Sequence, residues 1–221
     1  MPRQDSRTGR RAFLGTLGAG IGVALAGCGG SGTGADGPYF RDGFEDGTDA
    51  WTAVEDGWGR SDEYAHEGNY AASIDADGTT EVIARATLAE PRQPSEFEYA
   101  WRETAGSYGG GVRLVNESGD VELAFATDNP QWVVGDANST TQVAEGVGYE
   151  TWVRTAASFD WRAGDAEVTF QDASSEASYS GRHSLASVEN IAAIELYAYT
   201  SENNWMNTSC EMWWDDIVVH R

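Results

Sequence analysis

The sequence predicts an all-β fold, a two-sheet antiparallel β-sandwich preceded by an export signal and a flexible tether. Past residue 38 no stretch repeats its apolar residues at helical spacing. Instead, short runs of β-branched and aromatic residues are divided by Gly, Asn, Asp and Pro at the intervals of a sandwich. Several of these runs alternate. Phe97, Tyr99 and Trp101 share one face while Glu98, Ala100 and Arg102 share the other, and Val121, Leu123 and Phe125 oppose Glu122, Ala124 and Ala126. One side of each strand therefore faces a core. Nine tryptophans demand such a core and argue against a disordered acidic tail.

Taken in order, residues 1–27 form an export signal. Arg10 and Arg11 are its charged front, residues 13–26 its apolar middle, and small residues precede Cys28. The apolar run is too short and too glycine-rich for a spanning helix, which needs roughly 20 mostly apolar residues. Residues 28–37, rich in Gly and Ser, read as a tether. Residues 38–221 then make one domain. Its expected strands lie at 80–88, 97–103, 111–116, 120–126, 131–135, 151–161, 166–171, 191–200 and 212–219. Residues 117–120 (ESGD) and 162–165 (RAGD) read as hairpin turns.

Charge and cysteine content point to a compartment. The chain has no lysine, and loss of residues 1–27 would leave 10 basic and 35 acidic residues, a net charge near −25. Such a surface excludes electrostatic binding to nucleic acid or an anionic membrane. Its self-repulsion is relieved by concentrated salt, because the Debye length falls to about 3 Å at 1 M. Arg-Arg-Ala-Phe-Leu resembles a twin-arginine signal and Leu-Ala-Gly-Cys resembles a lipobox, which implies that Cys28 carries a lipid. The charge pattern resembles exported proteins of extreme halophiles, especially salt-loving archaea. The expected location is thus the outer face of the cell membrane, with contact to the bilayer through the lipid alone. Simple cleavage near Ala26 with Cys28 unused is the alternative. With Cys28 consumed, Cys210 has no intrachain partner and reads as a small buried residue. Asn116, Asn138 and Asn207 begin acceptor sequons and are candidate glycosylation sites.

The segments FEDGTDAWT from Phe44, YAHEGNYAASI from Tyr64 and WWDDIVV from Trp213, with ETWVRTAASFDW from Glu150, resemble the opening, second, closing and middle strands of concanavalin A-like and laminin-G-like jelly-roll domains. That resemblance implies a jelly roll of carbohydrate-binding-module type. It also implies a structural calcium ion where an N-terminal acidic pair, Glu45 and Asp46, meets the closing Asp215 and Asp216. If Ile217 and Val219 face inward, strict alternation turns Asp215 toward the core, where an unpaired carboxylate is costly. Calcium, with six to eight oxygen ligands, would relieve that cost. Capping of backbone amides, or pairing with an arginine, would relieve it equally.

For ligand binding, Glu195, Tyr197 and Tyr199 oppose the apolar face of their strand, and Glu98, Arg102 and Arg113 occupy the polar sides of theirs. If these strands are neighbours they form a patch of rings and hydrogen-bonding forks suited to sugar hydroxyls. Trp132 and Trp205 are candidate loop platforms, with core packing as the plainer reading. The expected function is non-catalytic glycan binding. The alternatives are a glycan-degrading hydrolase or lyase, or a structural or adhesive surface protein without a small ligand. No nucleophile elbow, phosphate loop or metal-hydrolase motif is present, and the Glu-x-Asp-x-x-Glu motif of concanavalin A-like glucanases is absent. His66, His183 and His220 lack ligand spacing and read as surface or structural residues. Cys28→Ser is expected to abolish lipid labelling and release the protein from the membrane fraction, as read by fractionation of the host.

Overall fold

The computed structural model describes residues 37–221 apart from 54, 78–80, 105–108, 129–130, 137, 146–148, 186, 188 and 201–208. Arg10, Arg11, Cys28, Trp205 and Asn207 lie outside the described residues. No helix occurs among those described, and the strands in chain order are β1 (Phe40–Asp42), β2 (Trp51–Ala53), β3 (Trp58–Ser61), β4 (Ala71–Asp77), β5 (Val82–Arg92), β6 (Glu96–Glu103), β7 (Gly109–Asn116), β8 (Val121–Asp128), β9 (Gln131–Gly135), β10 (Thr140–Glu145), β11 (Val153–Asp160), β12 (Asp165–Asp172), β13 (Ser178–Ser184), β14 (Ile191–Tyr199) and β15 (Ser209–Val219). All nine expected runs are strands. Residues 117–120 and 161–164 form the β7–β8 and β11–β12 turns, with Gly119 and Gly164 at positive φ. Strands β1 and β3 and the two polar strands β10 and β13 were not expected.

The strands form two antiparallel sheets. One runs β13-β12-β11-β6-β15-β4-β3 with β1 also on β15, and the other runs β10-β9-β8-β7-β14-β5-β2. Inward-facing side chains from both sheets make one core that contains Phe97, Tyr99, Trp101 and Trp214 from the first and Leu114, Phe125, Ile194 and Leu196 from the second. Trp132 belongs to this core. It is 2% exposed and packs edge to face on Trp101 and against Phe170, with ring centroids 5.7 and 5.4 Å away. The expectation of a Trp132 platform is therefore corrected: the residue pairs with Thr127 on the inward face of β8, so its ring points between the sheets.

The opening motif has a local logic. The Asp42 carboxylate accepts the Phe44 N–H and the Trp51 indole N–H, both at 2.8 Å, and so fixes where the chain turns after β1. Phe44, Trp51 and Trp58 then pack ring on ring, with centroids 5.8 to 6.3 Å apart.

The closing strand is asymmetric. On one side β15 pairs with β6. On the other it pairs with β4 over residues 209–214 and with β1 over residues 217–219, so a gap between β4 and β1 faces Asp215 and Asp216. Opposite that gap the β6 register shifts. Asp215 faces Ala100 and Val218 faces Glu98, so one extra residue sits in β15, and Asp216 takes φ +51°. This is a β-bulge. It breaks the strict alternation expected for WWDDIVV. Trp214, Ile217 and Val219 face the core, yet Asp215 pairs with Ala100 on the outer face. The inward orientation expected for Asp215 is thereby corrected.

One carboxylate does enter the core. Glu103 is 4% exposed, and its Oε1 accepts from Thr127 Oγ1 across the sandwich at 3.2 Å, while Oε2 has no hydrogen-bond partner among the described residues. Burial pushes its pKa up to about 8, against the smaller opposing effect of the Thr127 hydroxyl. A carboxyl raised in the folded state is neutral there while the unfolded chain ionises, so stability falls as pH climbs from roughly 4.5 toward 8, by at most about 1.4 kcal/mol per pH unit. Glu103→Gln is expected to remove this loss. Chemical denaturation should show the variant near the parent at pH 4 and more stable than it at pH 8.

Candidate functional site

The outer face of the eight-stranded sheet carries a groove of about 370 Å³. Its floor is set by two cross-strand rows. Gln171, Arg154, Ala100 and Asp215 stand abreast on β12, β11, β6 and β15. Thr169, Ala156, Glu98, Val218 and Arg41 form the next row, which extends to β1. Alanine at Ala100 and Ala156 leaves the hollow, because the longer side chains around these two positions rise past them. The volume falls at the small end of the range for small-molecule sites.

One wall is the segment 62–70, which fills the gap between β4 and β1. Two carboxylates hold it. Asp215 Oδ2 accepts the N–H groups of His66 and Glu67 at 2.9 and 3.0 Å, and its Oδ1 accepts the N–H of Asp216 at 2.8 Å. Glu45 Oε1 accepts the N–H groups of Asn69 and Tyr70 at 2.8 and 2.9 Å. Gly68 lies directly under Glu45 at φ +68°, where a Cβ would collide with that carboxylate. The two carboxyls respond differently. Hydrogen bonds, foremost from the Asn69 N–H, hold the exposed Glu45 below the usual range. Burial pushes Asp215 up to about 6, although three N–H donors oppose it and the neighbouring Asp216 charge adds to the rise.

The pinned segment delivers His66 into the groove. Its Nδ1 lies 2.6 Å from Asp216 Oδ2, and Arg154 Nε donates to its Nε2 at 3.1 Å. Because a guanidinium can only donate, Nε2 must be the acceptor nitrogen and Nδ1 carries the proton given to Asp216. The Trp152 ring meets the imidazole edge at 5.4 Å. Arg154 is thereby held at Nε, and its terminal nitrogens make no hydrogen bond or ion pair with a described residue.

The expected ligand residues do not meet in one patch. Glu98 lines the groove. Arg102 is on the same face but stacks on Tyr64 at 4.2 Å, next to the Tyr64–Trp213 pair. Arg113, Glu195, Tyr197 and Tyr199 lie on the outer face of the other sheet. There Arg113 covers the Tyr197 ring at 3.7 Å and reaches Glu81 at 2.5 Å. The single-patch expectation is corrected because β7 and β14 belong to one sheet and β6 to the other. Asn116 is also a correction as a glycosylation site. It is 4% exposed, and its Oδ1 accepts the N–H groups of Ser118 and Asp120 within the β7–β8 turn. Asn138 is exposed.

Of the four acidic residues expected to hold calcium, two have main-chain partners. Glu45 and Asp215 are occupied by main-chain N–H groups, which is the amide capping that competed with metal as a reading of Asp215. Among the described residues, ligand atoms in this region converge within 4.8 Å at His66, Glu67 and Asp216. Both His66 nitrogens of that trio are engaged. His66, Arg154 and Arg41 were missed by sequence reasoning. Residues 66, 154 and 216 meet only through the sheet topology, and no spacing along the chain signals them.

No family model matches the chain, and no curated protein matches it. Among solved structures it is similar to a sialidase at 8% identity, with TM-score 0.58 over 82% of this chain and 18% of that one. It is similar to peanut lectin at 11% identity, with TM-score 0.52 over 81% and 96% of the two chains. Lectin II from Ulex europaeus is similar at 11% identity, with TM-score 0.52 over 85% of this chain and all of that one. The chain thus spans under a fifth of the sialidase's length and nearly the whole of either lectin. The likeness establishes the fold, a lectin-like jelly roll.

Asp215→Asn is expected to free segment 62–70, since an amide cannot accept on both of its polar atoms. Orphaned buried N–H groups cost about 1–3 kcal/mol. Hydrogen exchange should speed up at His66 and Glu67 before global unfolding does.

Proposed function

We propose that this domain binds a glycan, without catalysis, in the groove over Ala100 and Ala156, and that Cys28 tethers it by a lipid to the outer face of the membrane. One observation carries the reading: on a lectin-like sandwich, the hollow is lined by hydrogen-bonding side chains, Arg154, Gln171, Thr169 and Glu98 among them. Sugar hydroxyls demand such donors and acceptors converging on a concave surface. The imidazole in the groove does not serve as a free base, because its acceptor nitrogen is held by Arg154. The acidic surface keeps the domain hydrated and soluble where salt screens its repulsion.

Ala156 is exposed at the centre of the floor, so a large ring placed there fills the hollow without touching the core. Ala156→Trp is expected to cut glycan binding at least tenfold on a glycan array in 1 M salt, with the thermal midpoint unchanged. Arg85→Gln, on the outer face of the other sheet, should bind like the parent. Release of shortened or unsaturated sugars would overturn the non-catalytic reading. Equal binding by Ala156→Trp would move the site elsewhere.

A further inference from the structure

We infer that the ligand of this groove is an anionic glycan, whose ring-borne oxyanions are gripped by Arg154 and Arg41; this rests on the reading of the groove as a glycan site. The chain holds 36 acidic residues against 14 basic ones, so carboxylates are plentiful around its guanidinium groups. Arg85, Arg92, Arg113 and Arg182 form ion pairs with Glu195, Glu90, Glu81 and Asp165, while Arg60, Arg102, Arg162 and Arg221 form none with described residues. The two arginines of the groove also form none. Among the described residues Arg154 donates only through Nε, to an imidazole nitrogen. Arg41 lines the groove and is exposed, without a hydrogen bond or ion pair to any described residue.

Two of the three carboxylates that line the groove are turned elsewhere, and the third, Glu67, makes no ion pair with either arginine. Asp216 is turned to His66, and Glu98 Oε1 lies 3.3 Å from His220 Nε2, an ion-pair distance without hydrogen-bond geometry. Fixing Arg154 at Nε leaves its two terminal N–H₂ groups side by side, the arrangement that matches a carboxylate or sulfate oxygen pair. Arg41 stands on β1, three inter-strand spacings away, roughly 14 Å at the backbone. The two forks thus face the alanine floor from opposite sides. The groove has no exposed aromatic platform, since the ring among its lining residues, Tyr99, is only 3% exposed. Selection there rests on charge-assisted hydrogen bonds rather than ring stacking. The domain's overall negative charge repels such a ligand in dilute buffer. At 1 M salt that long-range field is screened within about 3 Å, and the direct contacts remain.

The test is titration calorimetry of the purified chain in 1 M potassium chloride. The probes are oligogalacturonate as the carboxylated ligand, sulfated galacto-oligosaccharide as the sulfate ester, and the unsubstituted galacto-oligosaccharide. At least tenfold tighter binding of either charged probe than of the neutral one is expected, and which of them binds identifies the oxyanion. Arg154→Gln should lose at least tenfold toward the charged probe with no change toward the neutral one, and Arg41→Gln should show a smaller loss of the same kind. Arg154→Lys, which keeps the charge without the fork, should recover only part. Arg182→Gln is the control and should match the parent. Equal affinity for neutral and charged probes overturns this inference and leaves the groove as a glycan site. Failure of all three probes to bind overturns both.

Discussion

The closing strand cannot keep both of its neighbours and its alternation at once. Along β15 the partner on one side changes from β4 to β1, and the break falls at Asp215 and Asp216. The bulge there, with Asp216 at φ +51°, lets Trp214 and Ile217 both face the core while Asp215 turns outward. Asp and Asn are the non-glycine residues that best tolerate this region of backbone space. From that one distortion the rest of the site follows. Asp215 faces the gap in the sheet and accepts main-chain N–H groups from segment 62–70, Asp216 orients His66, and His66 orients Arg154. A groove over two alanines becomes a groove with a fixed guanidinium.

The same arrangement shows how Asp215 and Glu45 are satisfied by main-chain donors. A buried carboxylate needs donors, and any dense set of them will serve. Segment 62–70 arrives with its N–H groups unpaired by any strand, and Asp215 and Glu45 take them from opposite ends. Glu45 of the N-terminal acidic pair and Asp215 of the closing strand both direct oxygens at the loop between them.

Most of the fold was legible in the sequence because its strands obey a simple rule. In β6 and β14 large apolar residues alternate with polar ones, and each side chain lies on the face that its position requires. Among the strands that were not legible, β10 and β13 are edge strands at one side of the sandwich. Their residues, such as Thr140, Gln142, Ser178 and Ser180, resemble loops because an edge strand needs polar side chains. Trp132 follows a turn-like Asp-Asn-Pro and so looked like a loop ring, yet the pairing of β9 with β8 turns it inward. The site was less legible than the fold. Which sheet a strand joins decides whether two polar faces meet, and alternation is silent on that point. This is why Glu98 and Tyr197, each correctly placed on an outward face, lie on opposite sides of the molecule. The bulge left no mark either, since Asp215-Asp216 is one acidic pair among many in so acidic a chain.

The central claim is that the bulged closing strand fixes His66 as a neutral relay between Asp216 and Arg154. The ¹⁵N chemical shifts of the His66 imidazole, measured at pH 8 in molar salt, test it most directly. A protonated Nδ1 and an unprotonated, hydrogen-bond-accepting Nε2 are predicted. A proton on Nε2 in place of Nδ1, or rapid exchange between the two tautomers, would contradict the account, because Arg154 would then have no acceptor to hold it over the groove.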